Sequence, residues 1–382
     1  MGNQNFYPDQ YARDKEFTIN HNYLSDQFKD CDEILEKIKK VVNNNDFTLG
    51  STVDEVEELM AIQAQTKYAI GVGSGTDALL LSLKAIGVKS GDEVITSTYT
   101  FYATVGAIVT AGAKPIFCDC KEDYNIDVDK IASLITNKTK AIIPVHWAGR
   151  PCDMSQLLDL ADKYGLEVIE DACHALQAEY KYRRCGSFGI SGCFSFHPLK
   201  NLNVWGDGGM ITTNNLELAS RLRLIRNHGL IGRDECVEFS YNSRLDTIQA
   251  VVAKHVLENK FEKLTQIRIR NSFYLDKCLG EIPELILTQR KKDLREVFHI
   301  YMFRSNNRDE LVKYLRTNGI DAKIHYPIPM HLQPASKCFG YKKGDYPVAE
   351  NLARTCISLP VHEFITEENV EKMSGLVKTF YS

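Results

Sequence analysis

Short apolar runs alternate with helical patterns along the first half of the chain. From about residue 67, β-rich runs such as YAIGV (68–72) and AIIPVHW are each followed by a stretch of helical periodicity, such as DALLLSLKAIG. This repetition predicts an α/β fold with a mostly parallel central sheet and helices on both faces. Because ligands bind outside the carboxyl ends of such strands, polar residues directly after the apolar runs are the candidates for a site.

The pattern changes after GGMITT, which ends at residue 213. A helical stretch from about Leu245 to Leu279 has few breakers and is typical of a connector, and the segments beyond it predict a small α+β unit. We therefore predict an N-terminal arm over 1–25, a large domain over 26–264 that includes the start of the connecting helix, and a small C-terminal domain over 265–382.

Composition excludes several classes of protein. A net charge of −4 gives no electrostatic footprint for nucleic acid. The eleven cysteines are scattered and never spaced as C-x-x-C, which favours a reducing cytoplasm and predicts neither a disulfide framework nor a metal site. The polar N-terminus and the lack of any run of about 18 apolar residues predict a soluble protein that is neither exported nor membrane-bound.

The segment GVGSGTDALLL places three glycines and Thr76 at a strand-to-helix turn. Free backbone amides and the helix dipole at such a turn bind an anion, usually a phosphate. The dinucleotide pattern fails because Thr76 stands where the third glycine belongs, and the Walker lysine is missing. A tight turn without a ligand is the alternative.

Two charged residues follow apolar runs further along the chain. Asp171 in IEDA ends a strand, and a buried anion there needs a cation such as a protonated ring nitrogen; a helix N-cap is the alternative. Lys200 lies 29 positions later in FSFHPLKNLNVWGDGG. An apolar environment makes such a lysine a nucleophile that forms Schiff bases, whereas a solvated surface position is the alternative.

An anion cradle, an acid and a nucleophilic lysine together match one cofactor, pyridoxal 5′-phosphate (PLP). Ser195 fits as a further phosphate donor, and Phe101 offers a flat apolar face to the pyridine ring.

The motifs GVGSGTDAL, PVHWAGRPCDM, IEDACHA, SFHPLKNLNVWGDGGMI, YNSRLDTIQAVVA and HYPIPMHLQPA resemble those of the DegT/DnrJ/EryC1/StrS sugar aminotransferases. These enzymes use PLP and have the aspartate aminotransferase fold, fold type I, and the resemblance covers about residues 25–380. It implies that Lys200 is the Schiff-base lysine and proton shuttle and that Asp171 holds the pyridinium charge. The other residues that it implies are His174 near the phenolic oxygen, Phe101 stacked on the ring, and Gly75, Thr76 and Ser195 at the phosphate.

The resemblance also implies a homodimer with shared active sites, in which Asn242 of one subunit reaches the phosphate in the other. Tyr326 and His331 are candidates for sugar contacts, although both could instead pack the domain interface. We expect His197, Trp205 and Trp147 to be structural or to support the site from behind.

The resulting hypothesis is an aminotransferase that moves an amino group from L-glutamate, or glutamine, to a keto-sugar, most simply a nucleotide-linked one. Some relatives carry histidine in place of the lysine and dehydrate the sugar, so Lys200 favours amination. The alternatives are a keto-hexose phosphate or keto-inositol substrate, a non-catalytic PLP-binding regulator, and a nicotinamide oxidoreductase. Intact Lys200, Asp171 and Ser195 argue against the regulator, and the failed glycine pattern around Gly71 argues against the oxidoreductase.

Overall fold

The computed structural model describes residues 17–382, in which a seven-stranded sheet has the order β1-β9-β8-β5-β4-β2-β3. The strands in chain order are β1 Tyr68–Val72, β2 Glu93–Ser97, β3 Lys114–Cys118, β4 Thr139–Ile143, β5 Glu167–Asp171, β6 Glu179–Tyr180, β7 Arg183–Arg184, β8 Ser191–Ser195, β9 Gly209–Thr213, β10 Leu285–Leu287, β11 Leu294–Arg295, β12 Tyr301–Ser305 and β13 Cys356–Leu359. Strand β9 runs antiparallel to β1 and β8, and the other neighbouring pairs are parallel. The predicted mostly parallel sheet is confirmed.

Helices cover both faces of this sheet. They are α1 Leu24–Gln27, α2 Cys31–Asn44, α3 Ser51–Ala64, α4 Gly75–Ala85, α5 Tyr102–Thr110, α6 Val128–Ile131, α7 Met154–Tyr164, α8 Leu216–Ile225, α9 Thr247–Asn259, α10 Phe261–Leu279, α11 Arg308–Thr317, α12 Pro347–Thr355 and α13 Glu367–Tyr381. Because successive strand residues point to opposite faces, Val94 packs with helices α4, α5 and α8, while Ile95 packs with α6 and α7. Both faces are therefore apolar, as the near-continuous hydrophobic strands predict.

A second, antiparallel sheet has the order β10-β12-β13 and packs against α10, α11 and α13. The predicted connecting helix is broken at Lys260, where the backbone leaves helical geometry between α9 and α10. Phe261 at the start of α10 lies in the core beneath the large sheet, whereas Leu275 near its end lies in the core of the small one. The predicted connector is thus two helices, and the domain boundary near residue 265 stays a prediction.

The part of the predicted N-terminal arm that the structure describes, from residue 17 onward, packs beside the small sheet. Ile19 is buried in the same core as Leu275 and forms a parallel bridge with Ile320. The Asp321 N–H donates to the Ile19 carbonyl at 2.9 Å. Residues 1–16 of the arm lie outside the described residues. None of the helices from residue 17 onward combines the length and the apolar character that crossing a bilayer requires.

Candidate active site

A cavity of about 480 Å³ lies at the carboxyl ends of β4, β5 and β8, against the start of α4. Parallel strands deliver their following residues to one edge of the sheet, so residues far apart in sequence meet there. Eight predicted site residues line this cavity: Gly75, Thr76, Phe101, Asp171, His174, Ser195, Lys200 and Tyr326.

The start of helix α4 forms one end of the cavity. Ser74 caps the helix by accepting from the Asp77 N–H at 3.0 Å, and the first N–H groups of α4 have no partner within the helix. The Ser195 hydroxyl accepts from the His197 N–H at 3.3 Å, which leaves its own proton to donate. Backbone donors, a hydroxyl and a helix N-terminus together suit an anion.

Gly75 permits a close approach between α4 and strand β8. A Cβ added at Gly75 would lie 2.6 Å from the Ser195 Cβ and 2.9 Å from the Cys173 Sγ. Any side chain here would therefore push apart the two elements that form the anion site.

Lys200 lies in a turn after β8, with its N–H bonded to the His197 carbonyl at 2.8 Å. Burial lowers the pKa of the Lys200 ammonium, and the nearby Cys173 and Asp171 oppose this shift only in part. The solvated alternative is therefore wrong for this lysine, since its side chain lines the cavity. A neutral amine is the form that attacks an aldehyde.

Asp171 is the last residue of β5 and is buried. Its Oδ2 accepts from the Thr104 hydroxyl at 2.8 Å, and its Oδ1 accepts from the Cys173 N–H at 3.2 Å. The chain after Asp171 forms turns rather than a helix, so the N-cap alternative is wrong. These donors suit an ionised carboxylate that faces the cavity.

The adjacent Glu170 points to the other face of the sheet and has a structural task. Its oxygens accept from the N–H groups of Gly186, Phe188 and Gly189 at 2.6 to 2.9 Å and lie 2.9 Å from His146 Nε2. The two neighbouring carboxylates of IEDA therefore have different roles: Glu170 binds the loop behind the sheet, and Asp171 lines the cavity.

His174 lines the cavity between two aromatic neighbours. Its ring lies 5.1 Å from that of Trp147 and 4.2 Å from that of His299. Burial lowers the pKa of both histidines well below its usual value, and the charge of Lys200 adds to the effect. The Nδ1 of His174 is buried and has no hydrogen-bond partner among residues 17–382, so it is available to a group bound in the cavity.

The other wall of the cavity was not predicted from the sequence. Tyr23 of the N-terminal segment lines it, with its hydroxyl 3.4 Å from the Lys200 carbonyl and its ring stacked on His362 at 4.8 Å. No motif pointed to residues 21–23, whereas His325 stands beside the predicted Tyr326 and was overlooked. His21, Arg268, His299 and Lys323 also line this cavity and were not predicted.

Two predicted site residues do not line the cavity of this chain. His331 is buried, with Nδ1 2.8 Å from the Thr98 hydroxyl and Nε2 3.1 Å from Glu350, as the packing alternative expects, and its contact with the sugar stays a prediction. Asn242 is exposed. In contrast, His197 and Trp147, which we expected behind the site, both line it.

The residues present fit PLP on three observations. The approach of α4 to β8 that Gly75 permits forms an anion site, the buried Nδ1 of His174 needs a partner, and the cavity joins Lys200, whose pKa burial lowers, to the buried carboxylate of Asp171. Fold and site together define a PLP-dependent transaminase of fold type I.

The chain belongs to the DegT/DnrJ/EryC1/StrS aminotransferase family, whose model matches residues 29–378. It is a sugar aminotransferase that uses PLP, which confirms the prediction of cofactor and reaction.

Relatives match over nearly their whole length. The "Pleiotropic regulatory protein" of Geobacillus stearothermophilus is 40% identical, with 94% of this chain and 97% of that protein covered. The "UDP-N-acetyl-3-dehydro-alpha-D-glucosamine 3-aminotranferase" of Acidithiobacillus ferrooxidans is 38% identical, with 91% and 93% covered.

Solved structures have the same fold. S. venezuelae DesV is 34% identical with a TM-score of 0.91, over 94% of this chain and 97% of that chain. NtdA from Bacillus subtilis, solved with bound cofactor PMP, is 27% identical with a TM-score of 0.88, over 98% and 91%.

Gly75→Ala tests the anion cradle. The added Cβ must displace Ser195 or Cys173, and overpacking of this kind costs about 1–3 kcal/mol, so the dissociation constant for PLP should rise about tenfold or more. Gly106→Ala is the control, since nothing lies within 4 Å of a Cβ added at Gly106. Fluorescence titration of the apoenzyme with PLP measures both, and equal affinities would contradict the cradle.

Acidification should destabilise the protein through its cavity histidines. Burial lowers the pKa of His21 and of His325 from 6.5 to about 3, so between these values the unfolded chain binds more protons than the folded one. The free energy of unfolding therefore falls below pH 6.5, by at most about 1.4 kcal/mol per pH unit for each histidine. Denaturant unfolding of His21→Gln and His325→Gln should show a shallower fall, and unchanged slopes would refute the assignment.

Proposed function

We propose that this aminotransferase takes its amino group from L-glutamate and delivers it to the ketone of a nucleotide-linked sugar. One observation carries the proposal: Lys200, Asp171 and the α4 anion cradle lie in one cavity. The other wall of this cavity is rich in hydrogen-bonding side chains. The name of the Acidithiobacillus relative supports a UDP-linked substrate.

Each cavity residue has a chemical task in this proposal. When bound, PLP supplies an aldehyde that holds the amino group and a ring that accepts electrons. Lys200 in its neutral form takes a proton from one reacting carbon and returns it to another. Asp171 balances the positive charge of the ring nitrogen, and Phe101 covers one face of the ring.

The sugar would lie against the wall formed by the N-terminal segment and the small sheet. Because the His21 Nδ1 lies 2.5 Å from the Asp321 carbonyl, its proton is on Nδ1 and its Nε2 is an acceptor. Tyr326 adds a hydroxyl on the same side, and Lys323 adds a cation. Neutral acceptors and donors suit sugar hydroxyls, and the cation suits a phosphate.

We also propose that the enzyme is a homodimer whose subunits share their sites. The loop between α8 and α9 exposes four apolar side chains, and Phe239 among them is 100% exposed; the others are Ile231, Val237 and Tyr241. Exposed apolar clusters mark protein interfaces. The Ser243 hydroxyl accepts from the Gly73 N–H at 3.1 Å beside the anion cradle, and the neighbouring Asn242 is exposed. In the proposed dimer, Asn242 of one subunit reaches the phosphate site of the other.

Lys200→Ala should abolish transamination and keep some PLP binding through the anion cradle. Loss of the proton-transferring base lowers turnover by about a thousandfold or more. The assay follows 2-oxoglutarate released from L-glutamate and, by mass spectrometry, the aminated product from UDP- and dTDP-linked 3-keto sugars. Lys343→Ala, an exposed lysine outside the cavity, is the control.

Each part of that experiment has its own contradicting result. Normal turnover in Lys200→Ala would remove the central role of this lysine. Release of no 2-oxoglutarate by the native enzyme would overturn L-glutamate as the donor, with L-glutamine next in the series. Amination of a keto-hexose phosphate or keto-inositol in preference to the nucleotide sugars would overturn the acceptor.

Mixed dimers test whether subunits share a site. Lys200→Ala and Asn242→Ala chains should each be impaired alone. If Asn242 acts across the interface, a hybrid dimer holds one intact site, and random mixing restores about a quarter of native activity. If Asn242 acts within its own chain, no hybrid site is intact and co-expression of the two chains restores nothing.

A further inference from the structure

Two threonine hydroxyls are hydrogen-bonded in series to Asp171, and the first of them, Thr100, lines the cavity. The Thr104 hydroxyl donates to Asp171 Oδ2 at 2.8 Å, and the Thr100 and Thr104 hydroxyl oxygens lie 2.8 Å apart. Thr104 is fully buried and Thr100 is 2% exposed. Thr104 does not line the cavity, so it acts through Asp171 rather than on a ligand.

The direction of these hydrogen bonds follows from the number of protons. An ionised carboxylate accepts and cannot donate, so the single hydroxyl proton of Thr104 is directed to Asp171. The Thr104 oxygen must then accept from Thr100. Each donation in this sequence strengthens the next, and together they orient the Asp171 carboxylate.

Hydrogen bonds fix the main chain of Asp171, so only the orientation of its side chain depends on further contacts. Its N–H donates to the Pro144 carbonyl at 2.9 Å, and its carbonyl accepts from the His146 N–H at 3.0 Å, which fixes the main chain to the end of β4. The carboxylate is then oriented by the Cys173 N–H and by Thr104. Of these two, Thr104 alone can be changed by substitution of a side chain.

We propose that Thr104, supported by Thr100, is a positioning residue that holds the Asp171 carboxylate turned toward the ring nitrogen of PLP. The same short segment carries Phe101 between the two threonines, with the Phe101 carbonyl accepting from the Thr104 N–H at 3.2 Å. One turn at the start of α5 therefore carries Phe101, which covers the ring of PLP, and Thr104, which orients the Asp171 carboxylate.

The test replaces the hydroxyl and keeps its shape. In Thr104→Val enzyme reconstituted with PLP labelled with ¹⁵N at the ring, the ring nitrogen should lose its proton at a pH about one to two units lower than in the native enzyme. This is the effect of removing one hydrogen bond to a charged group. Thr104→Ser keeps the hydroxyl and should titrate like the native enzyme, and turnover should fall about ten- to a hundredfold in the valine variant alone.

Two further variants keep the experiment decisive. Thr247, like Thr104, is fully buried in the first turn of a helix, so Thr247→Val controls for the loss of any buried hydroxyl and should leave the ¹⁵N titration unchanged. If Thr104→Val does not fold, the Thr100→Val/Thr104→Val double variant leaves no unpaired donor and should show the same shift. A native titration in the valine variants would overturn the proposal, as would equal shifts in Thr104→Ser and Thr104→Val.

Discussion

A carboxylate buried at the end of a central strand needs donors and a nearby positive charge, and the site is arranged around this requirement of Asp171. The Thr104 hydroxyl and the Cys173 N–H supply the donors. Its neighbour in the strand, Glu170, meets the same requirement on the opposite face with three backbone N–H groups and His146. One dipeptide thus fixes both the loop behind the sheet and the cavity in front of it.

The large sheet supplies the reacting groups, and the rest of the chain encloses them. Arg268 on α10 forms a buried ion pair with Glu363 at 2.9 Å, and its guanidinium lies 5.0 Å from the ring of Tyr23. Tyr23 in turn contacts the carbonyl of Lys200. These contacts join the N-terminal segment, helix α10 and the lysine turn into one wall of the cavity.

Sequence reasoning succeeded where period and spacing determine structure. The pattern of apolar strands with polar ends predicted the sheet. It also predicted that Gly75, Asp171 and Lys200 lie at one edge, because the carboxyl ends of parallel strands lie at the same edge of a sheet. It failed where the contact depends on tertiary packing alone. His21 lies in a segment without periodicity and reaches the cavity through bonds to Asp321, 300 residues away. The motif around His331 likewise gave no sign that both of its ring nitrogens contact Thr98 and Glu350.

The histidines around Lys200 suit the proton transfer that we propose for this lysine. Burial lowers the pKa of His174, His299 and His325, and the charge of Lys200 contributes to the shift of each. The influence is mutual, because an imidazolium beside Lys200 would repel an ammonium there. Neutral imidazole rings therefore supply hydrogen bonds without repelling the positive charge that Lys200 acquires when it accepts a proton. Charged side chains in the same places would bind anions more tightly and would oppose the protonated state through which a lysine base must pass.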